Sequence, residues 1–262
     1  LFIGIDEEGG DVVRMAEKLT PAPSQKEIGA TGDIEQAKTW AIKTAKSLKD
    51  MGINVNFAPV ADVGSNDKRS YSTDANTVID FVRAATKGYQ QENIIYSLKH
   101  FPGIGKGKVD SHIDSSSIDV AKEVLMTEDI LPFKTIIDES DPNDYFILVS
   151  HLKYLALDEE YPASLSSKIM TDLLRNKLGY KGIIITDDME MGAVANHNDF
   201  RSIGVNAVKA GADIVLVCHE YKHQQEVYLG LLDAVNSGEI SQESIDESVK
   251  RIIKVKLLHL YQ

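Results

Sequence analysis

The stretch Lys99–His112, KHFPGIGKGKVDSH, places a carboxylate two residues before an imidazole at Asp110 and His112. In extended backbone, residues i and i+2 face the same side. A carboxylate beside an imidazole fixes its tautomer and stabilises the imidazolium, which makes His112 a candidate general acid and base near neutral pH. The glycines and lysines upstream would form a mobile loop carrying the pair. On its own, Asp-x-His is better read as an exposed loop. Two other chemistries fit less well. The loop lacks the glycine spacing and the Ser or Thr of a nucleotide phosphate loop. Asp110 and His112 could ligate a metal, but no further close ligand and no H-E-x-x-H pattern accompany them. A second chemical group lies in ITDDMEM, where Asp187 ends an apolar run. A carboxylate at such a strand end can act as a nucleophile, for instance on a sugar carbon. Asp188, one residue further on, is the better candidate for capping the next helix.

Positioning these groups requires strands that end on one face. Short apolar runs recur at LFIGID (1–6), INVNFAPV (53–60), IIYSLKHF (94–101), YFILVSHL (145–152), GIIITDD (182–188) and DIVLVCH (213–219). They are nearly continuous in apolar character, as strands covered on both faces are. Amphipathic stretches alternate with them, among them IEQAKTWAIKTAKSLKDMG, TVIDFVRAATKGYQQ, LSSKIMTDLLRNKLG, HQQEVYLGLLDAVNSG and the final QESIDESVKRIIKVKLLHLY. Gly52, Gly179 and Gly238 stand where helix C-caps fall. Alternation of this kind predicts parallel βαβ units. Asp6, Asp62, Lys99, His100, His151, Asp187 and Asp188 all fall at or just past strand C-termini, which favours a (β/α)₈ barrel over a doubly wound sheet. EEGGD after the first strand is not the dinucleotide fingerprint.

Composition narrows the function. The 262 residues are 43% hydrophobic and 26% charged, with a net charge of −12. That charge repels nucleic acid and anionic membranes, or simply keeps the chain soluble. No apolar run approaches the ~20 residues of a membrane span. The single Cys218 excludes an intrachain disulfide framework, and its apolar setting predicts a buried thiol.

Five segments then agree, in order, with a known family. IDEEGGDVVRM resembles D-[QE]-E-G-G-x-V-x-R, and NVNFAPVADV resembles F-A-P-V-x-D-V. KRSY resembles x-R-[SA]-[YF], and KHFPGIGKGKVDSH resembles K-H-F-P-G-H-G-x₄-D-S-H with identical spacing. IITDDMEMGAV resembles [ST]-D-D-L-x-M-x-A. The chain is similar over essentially its whole length to the family-3 glycoside hydrolases, in their β-N-acetylhexosaminidase branch. The β-glucosidase branch carries S-D-W at the nucleophile, where this chain has T-D-D.

The resemblance implies a TIM-type (β/α)₈ barrel, with residues 1–262 as one catalytic domain. Only six strands are visible, so it places two βα units, about 50–60 residues, before Leu1. It implies a retaining exo-β-N-acetylglucosaminidase working through a covalent glycosyl-enzyme. Asp187 matches the nucleophile, His112 the acid/base and Asp110 its partner. Asp6, Arg14, Arg69, Lys99, His100 and His151 match positions that hold N-acetylglucosamine, and Met191 matches a residue lining that pocket. Terminal N-acetylglucosamine of glycosides or muropeptides is the implied substrate, in peptidoglycan-fragment or amino-sugar turnover, with no cofactor. A phosphorylase of the same glycosides and an inactive sugar-binding protein are the alternatives. The chain departs from the pattern at Ile104, where the family has the His of G-H-G, and in SSSID, which lacks a proline that often follows.

Overall fold

The computed structural model describes residues 1–64, 68–107, 117–196 and 199–261. The strands are β1 (Gly4–Ile5), β2 (Val55–Asn56), β3 (Ile95–Phe101), β4 (Ser117–Ile118), β5 (Tyr145–Val149), β6 (Lys153–Tyr154), β7 (Ile183–Asp188) and β8 (Ile214–Leu216). Six of them form one sheet in the order β1-β2-β3-β5-β7-β8, and every neighbouring pair in it is parallel. The sheet curls into an incomplete (β/α) barrel with β1 and β8 at its edges. A separate parallel pair, β4 with β6, sits beside it.

Helices follow the strands where apolar periodicity places them. Ile34–Asp50 is capped by Asp33 and Ala75–Gln91 by Asp74, whose carboxylate accepts the Thr77 N–H at 2.8 Å. Such caps satisfy backbone donors that the first helical turn leaves unpaired. Lys168–Lys177 is wound with π geometry, Phe200–Ala210 and Tyr221–Asn236 follow it, and Gln242–His259 closes the chain. Gly52, Gly179 and Gly238 each have positive φ just past a helix, as expected. No helix among the described residues is long and apolar enough to cross a membrane.

The two faces of the sheet bury different sets. Tyr96, Leu98, Tyr145, Ile147, Val149 and Ile184 join the large core under the helices. Their neighbours Ile95, Phe146, Leu148, Ile183 and Ile185 form a second cluster on the opposite face, where Val255 of the last helix joins them. This is the period-2 alternation of strands. On that second face the same count runs on to Ser97 and Lys99, to Ser150, and to Asp187. A polar layer thus sits above the small apolar cluster at the C-terminal ends of the strands.

The edge strands β1 and β8 are shorter than their apolar runs, for a reason written in side chains. At β1, Asn54 accepts the Ile3 N–H at 2.8 Å, and the Asn56 amide pairs with both the N–H and the C=O of Glu7 at 3.0 Å. Asparagine side chains thus replace the backbone ladder on either side of Gly4–Ile5. At β8, Asp188 accepts the Cys218 N–H at 3.1 Å and Glu190 takes those of His219 and Glu220 at 2.5 and 2.9 Å. The chain therefore leaves the sheet at Leu216. Cys218 is consequently exposed, not the buried thiol expected from its apolar neighbours.

Candidate active site

Asp6, Arg14, Arg69, Lys99, His100, His151, Asp187 and Met191 all line one pocket at the C-terminal ends of the strands. Together with Glu8, Val12, Ile104, Leu148 and Ser150, they enclose about 680 Å³ including its open mouth, a size suited to a small ligand. Asp110 and His112 lie outside the described residues.

The first wall follows β1. The turn Glu8–Val12 reverses the chain, and Gly9 has φ +93° with an added Cβ falling 2.6 Å from the Pro23 carbonyl oxygen. Only glycine fits there. Glu7 accepts the N–H groups of Arg14 and Met15 at 2.8 and 3.1 Å, pinning the segment that brings Arg14 to the rim.

The floor comes from β3. Lys99, buried at 2% side-chain exposure, lies 2.7 Å from Asp6 Oδ1 and 2.5 Å from Glu8 Oε1. Burial works to lower the Lys99 pKa, but the carboxylates of Glu8 and Asp6 outweigh it and raise it. Burial likewise opposes ionisation of Glu8, and the charges of Lys99 and Arg69 overcome it, holding Glu8 at about 2. Arg69 grips Glu8 with Nη2 to Oε1 at 2.7 Å and Nε to Oε2 at 2.9 Å. Its Nη2 also lies 3.0 Å from His100 Nε2. Arginine only donates, so that nitrogen accepts and the ring proton sits on Nδ1, 2.7 Å from Asp62 Oδ2. Asp62 also accepts the backbone N–H groups of His100 and Ile104, at 3.1 and 2.9 Å.

β5 and β7 supply the remaining wall. His151 is buried, with Nδ1 2.7 Å from Ser164 Oγ and Nε2 2.8 Å from the Asp188 carbonyl oxygen. Only Nε2–H can donate to a carbonyl, which fixes the other tautomer here. Burial pushes the His151 pKa down, against the pull of Asp187. Asp187 is half-buried and its Oδ1 accepts the Asp188 N–H at 2.9 Å. Burial alone would raise its pKa; the His151 and His100 imidazoles, that N–H and Lys99 together bring it below the ordinary value. An ionised carboxylate facing a polar pocket can attack an electrophilic carbon.

Asp188 is turned the other way. Its Oδ1 accepts the N–H groups of Glu190 and Cys218, and Oδ2 lies 3.1 Å from His219 Nε2. It ties β7 to the chain leaving β8 rather than capping the helix Gly192–Ala195, whose N-cap is Met191. The loop stem before the Asp-x-His pair is also not free in its described part. Lys106 lies 2.5 Å from Asp129 and 2.9 Å from Glu128, and a Cβ at Gly105 would fall 2.0 Å from the Val63 carbonyl oxygen. Glycine there serves close packing rather than mobility.

Nearly the whole chain matches a family pattern. Residues 1–255 match the glycosyl hydrolase family 3 N-terminal domain. The chain belongs to that family. It is 35% identical to "Beta-hexosaminidase A" of Pseudoalteromonas piscicida, over 98% of this chain and 47% of that protein. It is 32% identical to "Beta-hexosaminidase" of Haemophilus influenzae, over 84% of this chain and 64% of that protein. Among solved structures, a glycoside hydrolase family 3 β-N-acetylglucosaminidase from Paenibacillus sp. superimposes with a TM-score of 0.94 at 37% identity, over 98% of this chain and 50% of that one. M tuberculosis LpqI gives 0.91 at 30%, over 98% and 77%. The family 3 chain described here thus spans about half the length of the first relatives it matches.

Among the charged residues of the pocket, Glu8 is the one absent from the candidates read from the sequence. The signal was present, since Glu8 stands within D-E-E-G-G two residues from Asp6 and so shares its side in extended chain.

Proposed function

We propose that this family 3 chain is the catalytic barrel unit of a retaining exo-β-N-acetylglucosaminidase, with Asp187 as nucleophile, His112 as acid/base and Asp110 as its partner. The observation that carries the reading is the ionised Asp187 on the wall of a pocket that also gathers Asp6, Arg14, Arg69, Lys99, His100 and His151. Carboxylates and cations around one cavity suit the many hydroxyls of a sugar through charge-assisted hydrogen bonds. The relatives, named β-hexosaminidase and β-N-acetylglucosaminidase, support the same substrate class.

In the first half-reaction an Asp187 oxygen bonds to the anomeric carbon as the bond to the aglycone oxygen breaks, and His112 delivers a proton to that oxygen. In the second, His112 takes a proton from water, whose oxygen attacks the anomeric carbon and releases Asp187. Asp110 holds the imidazole and steadies its charged form. Terminal N-acetylglucosamine on glycosides or muropeptides is the proposed substrate. The test is hydrolysis of 4-nitrophenyl β-N-acetylglucosaminide compared with the β-glucoside, in phosphate and in phosphate-free buffer. Release of free N-acetylglucosamine in both buffers supports the reading. Phosphate-dependent release of the sugar 1-phosphate would make the protein a phosphorylase, and binding without turnover would make it a sugar-binding protein.

A further inference from the structure

Asp62, His100, Arg69, Glu8, Lys99 and Asp6 form one continuous chain of hydrogen bonds and ion pairs across the pocket floor, with links of 2.7, 3.0, 2.7, 2.5 and 2.7 Å. Glu8 is the central link. On one side stands Asp62–His100–Arg69, on the other Lys99–Asp6. Glu8 borders the pocket, yet its side chain is only 2% exposed, whereas that of Asp6 is 41% exposed. Both Glu8 oxygens are engaged by protein cations: Oε1 by Lys99 and Arg69, Oε2 by Arg69 Nε. A ligand therefore meets Asp6 and the outward parts of the two cations, not Glu8.

We propose that Glu8 is a positioning residue of this pocket: by bridging the Lys99 ammonium and the Arg69 guanidinium it sets the direction in which both meet a bound sugar. The proposal rests on the reading of the pocket as a sugar site. Its physical basis is local. Two like charges held side by side in a poorly solvated floor repel strongly, and one shared carboxylate cancels that repulsion. The planar fork of arginine needs a planar partner to fix its orientation. Glu8 offers that partner through two oxygens. With Glu8 gone, Asp6 would be left to balance Lys99, and less of its carboxylate would face the ligand. Arg69 would lose the contact that holds Nη2 against His100 Nε2, leaving Asp62 alone to orient the His100 ring.

The variants are Glu8→Gln, which keeps the shape and removes the charge, and Glu8→Asp, which keeps the charge and shortens the reach. Two readouts are needed. The first is KM against kcat for 4-nitrophenyl β-N-acetylglucosaminide. The second, independent of turnover, is titration of the Lys99 ammonium by NMR in lysine-labelled protein. Glu8→Gln should raise KM about tenfold or more, the scale on which supporting residues act around metal ligands, with a smaller change in kcat. Lys99 should lose its proton at lower pH than in the parent protein, because an anion that stabilised the charged form is absent. Glu8→Asp should recover part of KM and most of the Lys99 titration. Unchanged KM and an unchanged Lys99 titration in folded Glu8→Gln would overturn the proposal. If Glu8→Gln does not fold, Glu8→Asp decides, since parental KM despite the shortened reach would equally overturn it. If the parent protein binds and turns over no N-acetylglucosamine compound, the proposed function falls. The Lys99 titration then still supports or overturns the bridge.

Discussion

The backbone N–H of Asp188 donates to Oδ1 of Asp187 at 2.9 Å, while the Asp188 carboxylate itself points away to the Cys218 N–H and His219. Two consecutive aspartates at one strand end thus have separate tasks, one facing the pocket and the other tying β7 to β8. The alternation of a strand makes this separation possible. Asp187→Asn should lower turnover by about four orders of magnitude, as loss of a covalent nucleophile does. Asp188→Asn keeps most acceptor capacity and should chiefly lower the melting temperature. Kinetics and thermal melting of both variants check the assignment, and the reverse pattern would move the nucleophile to Asp188.

A leaving-group series separates protonation from binding at His112. His112→Ala should slow substrates with poor leaving groups by about 10²- to 10⁴-fold, the range of general acid catalysis. Activated phenols should suffer less in the glycosylation step. Asp110→Ala should behave as a weaker form of the same change, with the basic limb of the pH profile moved to lower pH, because the carboxylate supports the protonated ring. Equal losses on every substrate would show that His112 only binds.

The strand-end aspartates, Lys99, His100 and His151 were legible because continuous apolar runs terminate in polar residues, and parallel strands collect such ends on one face. Count by twos along 95–99, 146–150 and 183–187 and the inward set is already visible. Three features depend on partners far away in the chain. Asn54 and Asn56 end β1 by pairing through side chains, so its apolar run overstates the strand. Asp188 and Glu190 likewise end β8, and this is what exposes Cys218. Glu8 reads as one more acidic residue until Lys99 and Arg69 are seen to close on it.

Burial of His151 gives a pH dependence with a definite sign. Its ring pKa lies below the ordinary 6.5, so the unfolded chain binds the proton more readily. The neutral ring of the folded state is undisturbed above pH 6.5, and stability is lost as pH falls from 6.5 through the lowered pKa. The ¹⁵N shifts of His151 should report a neutral Nε2–H tautomer at pH 7. A ring found charged at that pH would contradict the lowered pKa, and a neutral ring protonated on Nδ1 would contradict the hydrogen bond to the Asp188 carbonyl.

Lys106 and Asp129 pair within the described segment that precedes Asp110 in sequence. The Asp129 side chain is fully buried, and burial raises its pKa despite the Lys106 ammonium. Lys106→Ala should destabilise the fold by about 3 kcal/mol at pH 7, because it leaves a buried charge unpaired. That loss should shrink as pH falls, since a protonated Asp129 needs no cation. Denaturant unfolding of the parent and variant at pH 7 and pH 5 checks both statements, and a loss independent of pH would contradict them.

The central claim is that Asp187 forms a covalent bond to the sugar, and trapping tests it most directly. The protein is incubated with a 5-fluoro-N-acetylglucosaminyl fluoride, and the intact mass and then the labelled peptide are read by mass spectrometry. The account predicts an increase of one fluorosugar on the peptide containing Ile183–Asp188, with fragmentation placing it on Asp187. A label on Asp188 or elsewhere, or rapid turnover of natural glycosides with no covalent species ever formed, would contradict it.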